Sequence, residues 1–158
     1  KEIEVYDDPK AVSEVASVMN EGTDITVIAC GSCVFEAMQA ARMMEADAGL
    51  KVRVLNMHTI KPLDEEAVMS AIMDTRRIIT VEDHEVMGGL GSAVAEVVAK
   101  SGKACAFKML GHQNAFSTIG LQEDLLAMAK IDANGISEAI GEMMHADFEA
   151  DDAWDDEF

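Results

Sequence analysis

The chain has 158 residues, enough for one α/β domain with a single core that needs neither disulfides nor metal to hold it. Twelve basic against thirty acidic side chains give a formal charge of −18, which argues against nucleic acid or anionic membrane as a partner, since both select a basic footprint. No apolar run approaches the ~20 residues that span a bilayer, Lys1 to Glu4 lack the basic and apolar regions of a signal peptide, and three cysteines make no disulfide framework, so a cytoplasmic chain with reduced thiols is expected.

Residues 1–14 read as a lead-in and 15–145 as the folded domain. In the first 22 residues, Ala11, Val12, Val15, Ala16 and Met19 fit a helix opened by Asp8 and Pro9, whereas Asn20-Glu21-Gly22 suits the turn of a hairpin; periodicity leaves both open. Beyond Thr23, short β-branched runs at 25–29, 52–55, 78–81 and 104–110 alternate with helical patterns, the signature of βαβ units in a parallel sheet. The first helix carries Val34, Ala37, Met38, Ala41 and Met44 on one stripe and stops at Gly49. Asp64 is placed to cap the second, with Glu65 and Glu66 in its first turn and Val68, Ala71 and Ile72 inward. The third points Leu90, Ala93, Val94, Val97 and Val98 inward and ends near Ser101 and Gly102; two more follow at 121–130 and 135–144. Residues 146–158 hold Asp147, Glu149, Asp151, Asp152, Asp155, Asp156 and Glu157 with no Lys or Arg, an acidic tail expected to stay solvated unless Phe148, Trp154 or Phe158 docks.

Three groups could carry chemistry. Gly88-Gly89-Leu90-Gly91-Ser92 joins a strand to a helix, where backbone amides could cradle an anion. A dinucleotide fingerprint would need glycine where Val94 stands, so close packing of the loop against a neighbour is the preferred reading. Cys30 and Cys33 bracket a helix start that could lower a thiol pKa, which makes a dithiol redox protein an alternative, although the aromatic and cis-proline companions of such sites are missing. Glu82-Asp83-His84-Glu85 follows a strand and could serve acid–base or metal chemistry; neighbours in sequence seldom point into one coordination sphere, so a solvated or interface loop is preferred. His58, His112 and His145 are isolated in sequence, and the twelve methionines read as core filler.

Three blocks taken together are more specific than any one: Asp24-Ile25-Thr26-Val27-Ile28-Ala29-Cys30-Gly31-Ser32, then Asn56-Met57-His58-Thr59-Ile60-Lys61-Pro62-Leu63-Asp64, then residues 80–93 with Glu82, His84 and the glycine loop. In this order and spacing the stretch 15–144 resembles the C-terminal domain of transketolase. Related domains end the beta subunit of 2-oxo-acid dehydrogenases and deoxyxylulose phosphate synthase; the block from His58 to Asp64 points to transketolase, and to its split two-subunit form in particular. The resemblance implies a three-layer α/β/α sandwich around a mixed, mostly parallel five-stranded sheet, and it favours residues 15–19 as an antiparallel strand forming a hairpin into Ile25. Cys30 stands where the family often has Thr, Cys33 where it often has an acid, and Asn114-Ala115-Phe116-Ser117 replaces an Asp-x-Phe-Gly element. By the same resemblance this chain holds no catalytic, cofactor-binding or metal residue. Thiamine diphosphate with Mg or Ca is bound in the complete enzyme by a Gly-Asp-Gly segment of the N-terminal domain, and the activating glutamate lies in the middle domain. The full enzyme, a homodimer, would move a two-carbon ketol unit between sugar phosphates. This chain would support assembly with the other transketolase domains or subunit, with Glu82, His84, Gly88, Gly89, Gly91 and Ser92 as the candidate interface or anion loop, and would be inactive alone.

Overall fold

Ile25, Val27, Ile28 and Ala29 have no exposed surface, and Thr26 is equally enclosed, so the strand they form must be flanked on both edges and covered on both faces. The computed structural model describes residues 15–114 and 118–145. Its elements are β1 (Ser17–Asn20), β2 (Ile25–Ala29), α1 (Cys33–Ala48), β3 (Val52–Asn56), α2 (Glu65–Asp74), β4 (Arg77–Glu85), α3 (Leu90–Ser101), β5 (Ala106–His112), α4 (Gln122–Met128) and α5 (Ala133–His145). The five strands lie in the order β1-β3-β2-β4-β5, with β2 to β5 parallel and β1 antiparallel to β3. Helices α1 and α5 bury Ile25, Val27 and Ile79 on one face, and α2 and α3 bury Ile28, Leu55 and Ile78 on the other, which gives the expected three-layer α/β/α sandwich.

The hairpin expected from β1 into Ile25 does not form. Strand β1 exists, but it pairs with β3 through Ser17↔Asn56, Val18↔Leu55 and Asn20↔Val54. The reason is that both edges of β2 are taken, by β3 and β4, so the first strand can add only outside β3. The chain crosses the start of β3 instead: Thr23 and Asp24 donate their amides to the Lys51 carbonyl at 3.0 Å each, and a Cβ on Gly22 would sit 2.3 Å from the Arg53 amide nitrogen. That approach demands glycine. A helix through Val15, Ala16 and Met19 is likewise absent, since Ser17–Asn20 is strand; its start at Asp8 falls outside the described residues.

The helix boundaries follow their caps. Gly49 takes φ 68° after α1 and Gly102 φ 63° after α3, the left-handed geometry that a side chain resists. Asp64 does more than start α2. One carboxylate oxygen accepts from the Ala67 amide at 3.0 Å and the other from the Ala16 amide at 2.8 Å, so a single side chain sets the first turn of α2 and anchors the approach to β1. Asp64→Ala removes both bonds and should lower stability by about 1–3 kcal/mol, read from the urea midpoint at unchanged slope. Asp64→Asn, which keeps one acceptor, should fall between the two.

Candidate functional site

The carboxyl ends of β2, β4 and β5 bring the three chemistry-bearing groups of the sequence to one end of the sheet, where open α/β folds place their sites. Strand β4 continues to Glu85 with a register shift between Val81 and Glu85, so Glu82-Asp83-His84-Glu85 belongs to a strand end and is not the free loop expected from sequence. Glu82 turns inward and is 1% exposed. Its two oxygens accept from the first amides of α3, Leu90 at 2.7 Å and Gly91 at 2.8 Å. The N-cap of this helix is Gly89, which has no side chain, and Glu82 caps it from the neighbouring strand. Negative charge at that end also suits the helix macrodipole.

The glycines answer to this arrangement. A Cβ on Gly89 would lie 1.9 Å from Glu82 Oε2, and one on Gly91 would lie 2.8 Å from Met109 Sδ and 2.9 Å from Thr80 Oγ1. Both pack against the body of the domain. Gly88, with φ 82° and open space around it, is glycine for its backbone angle, and it shares the exposed tip of the loop with Met87. Ser92 closes the turn: its hydroxyl accepts from the Gly88 amide at 2.8 Å and donates to the Val86 carbonyl at 3.1 Å. Two amides on which an anion cradle would rely are therefore held by the protein's own carboxylate.

Most of the remaining polar groups pair locally, whereas Thr80 Oγ1 and Glu85 Oε1 are buried without a hydrogen-bond partner among the described residues. Asp83 Oδ1 meets His112 Nε2 at 2.8 Å, joining β4 to β5. His84 is exposed, with Nδ1 2.9 Å from the Glu85 carbonyl and 3.9 Å from Glu82 Oε2. His58 lies 2.9 Å from Thr59 Oγ1 and 3.2 Å from the Val15 carbonyl, and so serves the approach to β1. Among the described residues no three His, Cys, Asp or Glu side chains are grouped to hold a metal ion.

The thiols run opposite to redox chemistry. Burial pushes Cys30 up to about 11, with Glu82 and Asp83 adding to the effect. Burial likewise pushes Cys33 up to about 12, and the charge of Asp83 reinforces it. The start of α1 does not deliver the lowered thiol pKa that the redox alternative would need, because desolvation and nearby carboxylates outweigh the helix end. The bond from Glu82 to α3 is invisible to sequence reading. Its one signal is an acid eight residues ahead of a helix opened by glycine. The altered element around Ala115, Phe116 and Ser117, the lead-in 1–14 and the acidic tail lie outside the described residues.

Comparison with known proteins bears on the whole domain. A family model described as the transketolase C-terminal domain matches residues 14–136. A 6-deoxy-6-sulfo-D-fructose transketolase subunit of a Clostridium species is 39% identical over 130 residues, covering 81% of this chain and 39% of that protein. An apulose-4-phosphate transketolase subunit of Phocaeicola vulgatus is 37% identical over 130 residues, covering 82% of this chain and 41% of its own length. A 1-deoxy-D-xylulose-5-phosphate synthase of Heliobacterium modesticaldum is 32% identical over 130 residues, covering 82% of this chain and 20% of that one. Among solved structures, a split gene transketolase in an inactive β4 tetramer superposes with a TM-score of 0.83 at 32% identity, over 90% of this chain and 46% of the other. The chain thus spans about two-fifths of the length of the transketolase subunits it matches.

Glu82→Ala would orphan two buried amides and should cost about 2–5 kcal/mol, measured by denaturant unfolding, whereas His84→Ala should stay within about 0.5 kcal/mol. With Cys30 raised from 9.0 to about 11, iodoacetamide should alkylate it at neutral pH on the order of 100-fold more slowly than a free thiol. The sign for stability follows: the contribution of this thiol is complete below pH 9.0 and is lost as pH rises through about 11. An alkylation rate that levels off near pH 7 would contradict both statements.

Proposed function

This chain belongs to the transketolase C-terminal domain family, and from that premise we propose that it is the C-terminal part of a thiamine-diphosphate-dependent transketolase whose catalytic centre lies in other domains. The observation that carries the proposal is the domain-length likeness to transketolase subunits, each about twice as long as this chain. The reaction assigned to the complete enzyme is transfer of a two-carbon ketol unit between sugar phosphates, of the pentose phosphate type, by a cytoplasmic homodimer. The two subunit relatives are named for different sugars yet resemble this chain at 39% and 37% identity, which supports placing sugar choice outside this domain.

The site described above does not fit thiamine diphosphate. A diphosphate needs free amides or cations and a metal held by oxygen ligands. Here the glycine-opened helix donates to Glu82, and Asp83 and Glu85 stand beside it on a chain of net charge −18. No catalytic step is assigned to these residues. Their work is to hold the sheet end that other domains meet, with His84, Met87 and Gly88 as its exposed part. A deoxyxylulose phosphate synthase is the second reading, favoured by the 32% identity over 130 residues to the Heliobacterium enzyme. Dithiol redox chemistry is disfavoured by the raised thiols.

Calorimetric titration of this chain with thiamine diphosphate and Mg²⁺ is expected to give no binding heat, and ketol transfer to appear only when the remaining domains are supplied. Micromolar affinity in the chain alone would overturn the assignment. Formation of deoxyxylulose phosphate from pyruvate and glyceraldehyde phosphate by the completed enzyme would select the second reading.

A further inference from the structure

Four large apolar side chains are exposed or partly exposed on β5, α4 and the segment ahead of α4: Met109 on β5, Met128 on α4, and Ile119 and Leu121 in the segment that leads into α4. Ile119 is fully exposed, Leu121 76% and Met128 69%, values that a surface helix does not need for its own folding. Met109 and Met128 line a groove of ≈ 460 Å³ between β5 and α4. Strand β5 is the outer strand, paired on one side only: Ala106 donates to the Arg76 carbonyl and His112 accepts from Val86, so the even residues turn to β4 and the odd ones outward.

The charge of this flank sets it apart. Among the described residues that line the groove there is no carboxylate, while the comparable groove beside β1 is lined by Glu21, Asp64 and Glu66. Its two lysines are each paired from outside, Lys108 by Glu142 and Lys130 by Glu138 at 2.8 Å, and His112 Nε2 lies 2.8 Å from Asp83 Oδ1. In a chain of −18 the groove lining holds no unpaired lysine, so a second polypeptide seated in it leaves no unpaired cation buried, and the exposed Glu123 and Asp124 stand at its border on α4.

We propose that the flank formed by Met109, Ile119, Leu121 and Met128 is a docking face covered, in the assembled enzyme, by the remaining transketolase polypeptide. That occupant is chosen because the subunit relatives extend well beyond this domain, with only 39% and 41% of their length matched. The proposal rests on the transketolase reading for the existence of those domains, but its test does not use the cofactor.

Methionine oxidation provides that test within one sample of the full-length enzyme, or of the complex rebuilt from its two parts. Met73 on α2 is 58% exposed and serves as the reference, since Met128 is the more exposed of the two in this chain. After a short hydrogen peroxide pulse and peptide mass spectrometry, Met128 is expected to oxidise at least five-fold more slowly than Met73. Oxidation of Met128 as fast as Met73 overturns the proposal. So does equal protection of Met128 in this chain alone that vanishes on dilution, because that outcome assigns the face to a second copy of this chain. Met128→Glu, a change at an exposed helical position, should leave the far-ultraviolet circular dichroism unchanged and speed proteolytic release of this domain from the enzyme several-fold; an unchanged release rate also counts against the face. If the protection is found and no ketol transfer occurs, the docking face stands and the assigned reaction falls.

Discussion

A carboxylate beneath the first turn of α3 joins two elements that the chain separates by a sharp turn. Glu82 is enclosed, and it persists in the interior only because both of its oxygens are engaged by main-chain amides. The distances of Gly89 and Gly91 to their neighbours follow from it, and so does the seating of Met109 against Gly91. Remove the side chain and β4, the glycine loop and the helix lose their common reference. The same solution appears elsewhere in the domain: Glu36 of α1 accepts from the Ala133 amide at 2.9 Å where α5 begins, and Asp24 accepts from the Lys51 amide at 2.7 Å. Part of the acidic excess is thus structural, directed at main-chain donors that helices and turns leave over.

That arrangement also explains why a loop resembling an anion site sits in a domain to which no anion chemistry is assigned. Glycines at a helix start are required for any close approach, whether the approaching group is a phosphate or a side chain. Here the approaching group is internal. Burial holds the Cys30 thiol in its protonated form, and Glu82, the carboxylate that completes the helix start, adds to it together with Asp83.

The sandwich is legible in the sequence because its central strands are apolar on both faces and its helices carry one-sided stripes and glycine stops. Asp64 is legible as a cap because capping is local, three residues from donor to acceptor. The partner of β1 is not, since alternation reports which face a residue takes and says nothing about which strand lies alongside. Glu82 passes for part of a surface loop for a related reason: its partners lie eight and nine residues away, across a turn, with no period to mark them. The redox alternative at the thiols stays open in the sequence because the helix end is written there while the burial that outweighs it is a property of the packed domain.

Strand β1 has a mechanical meaning. It is attached to the sheet along a single edge by three paired residues, with Asn20 bonded to the Val52 carbonyl at 2.7 Å, Asp64 to Ala16 and His58 to Val15 beside it. Tension arriving from upstream through Val15 reaches these few bonds first, while β2 lies two strands inward and shares no pairing with β1. Strand β1 thus stands as an outer fastening, tied to β3 and to the Asp64 and His58 side chains, and set apart from the pairings that hold β2.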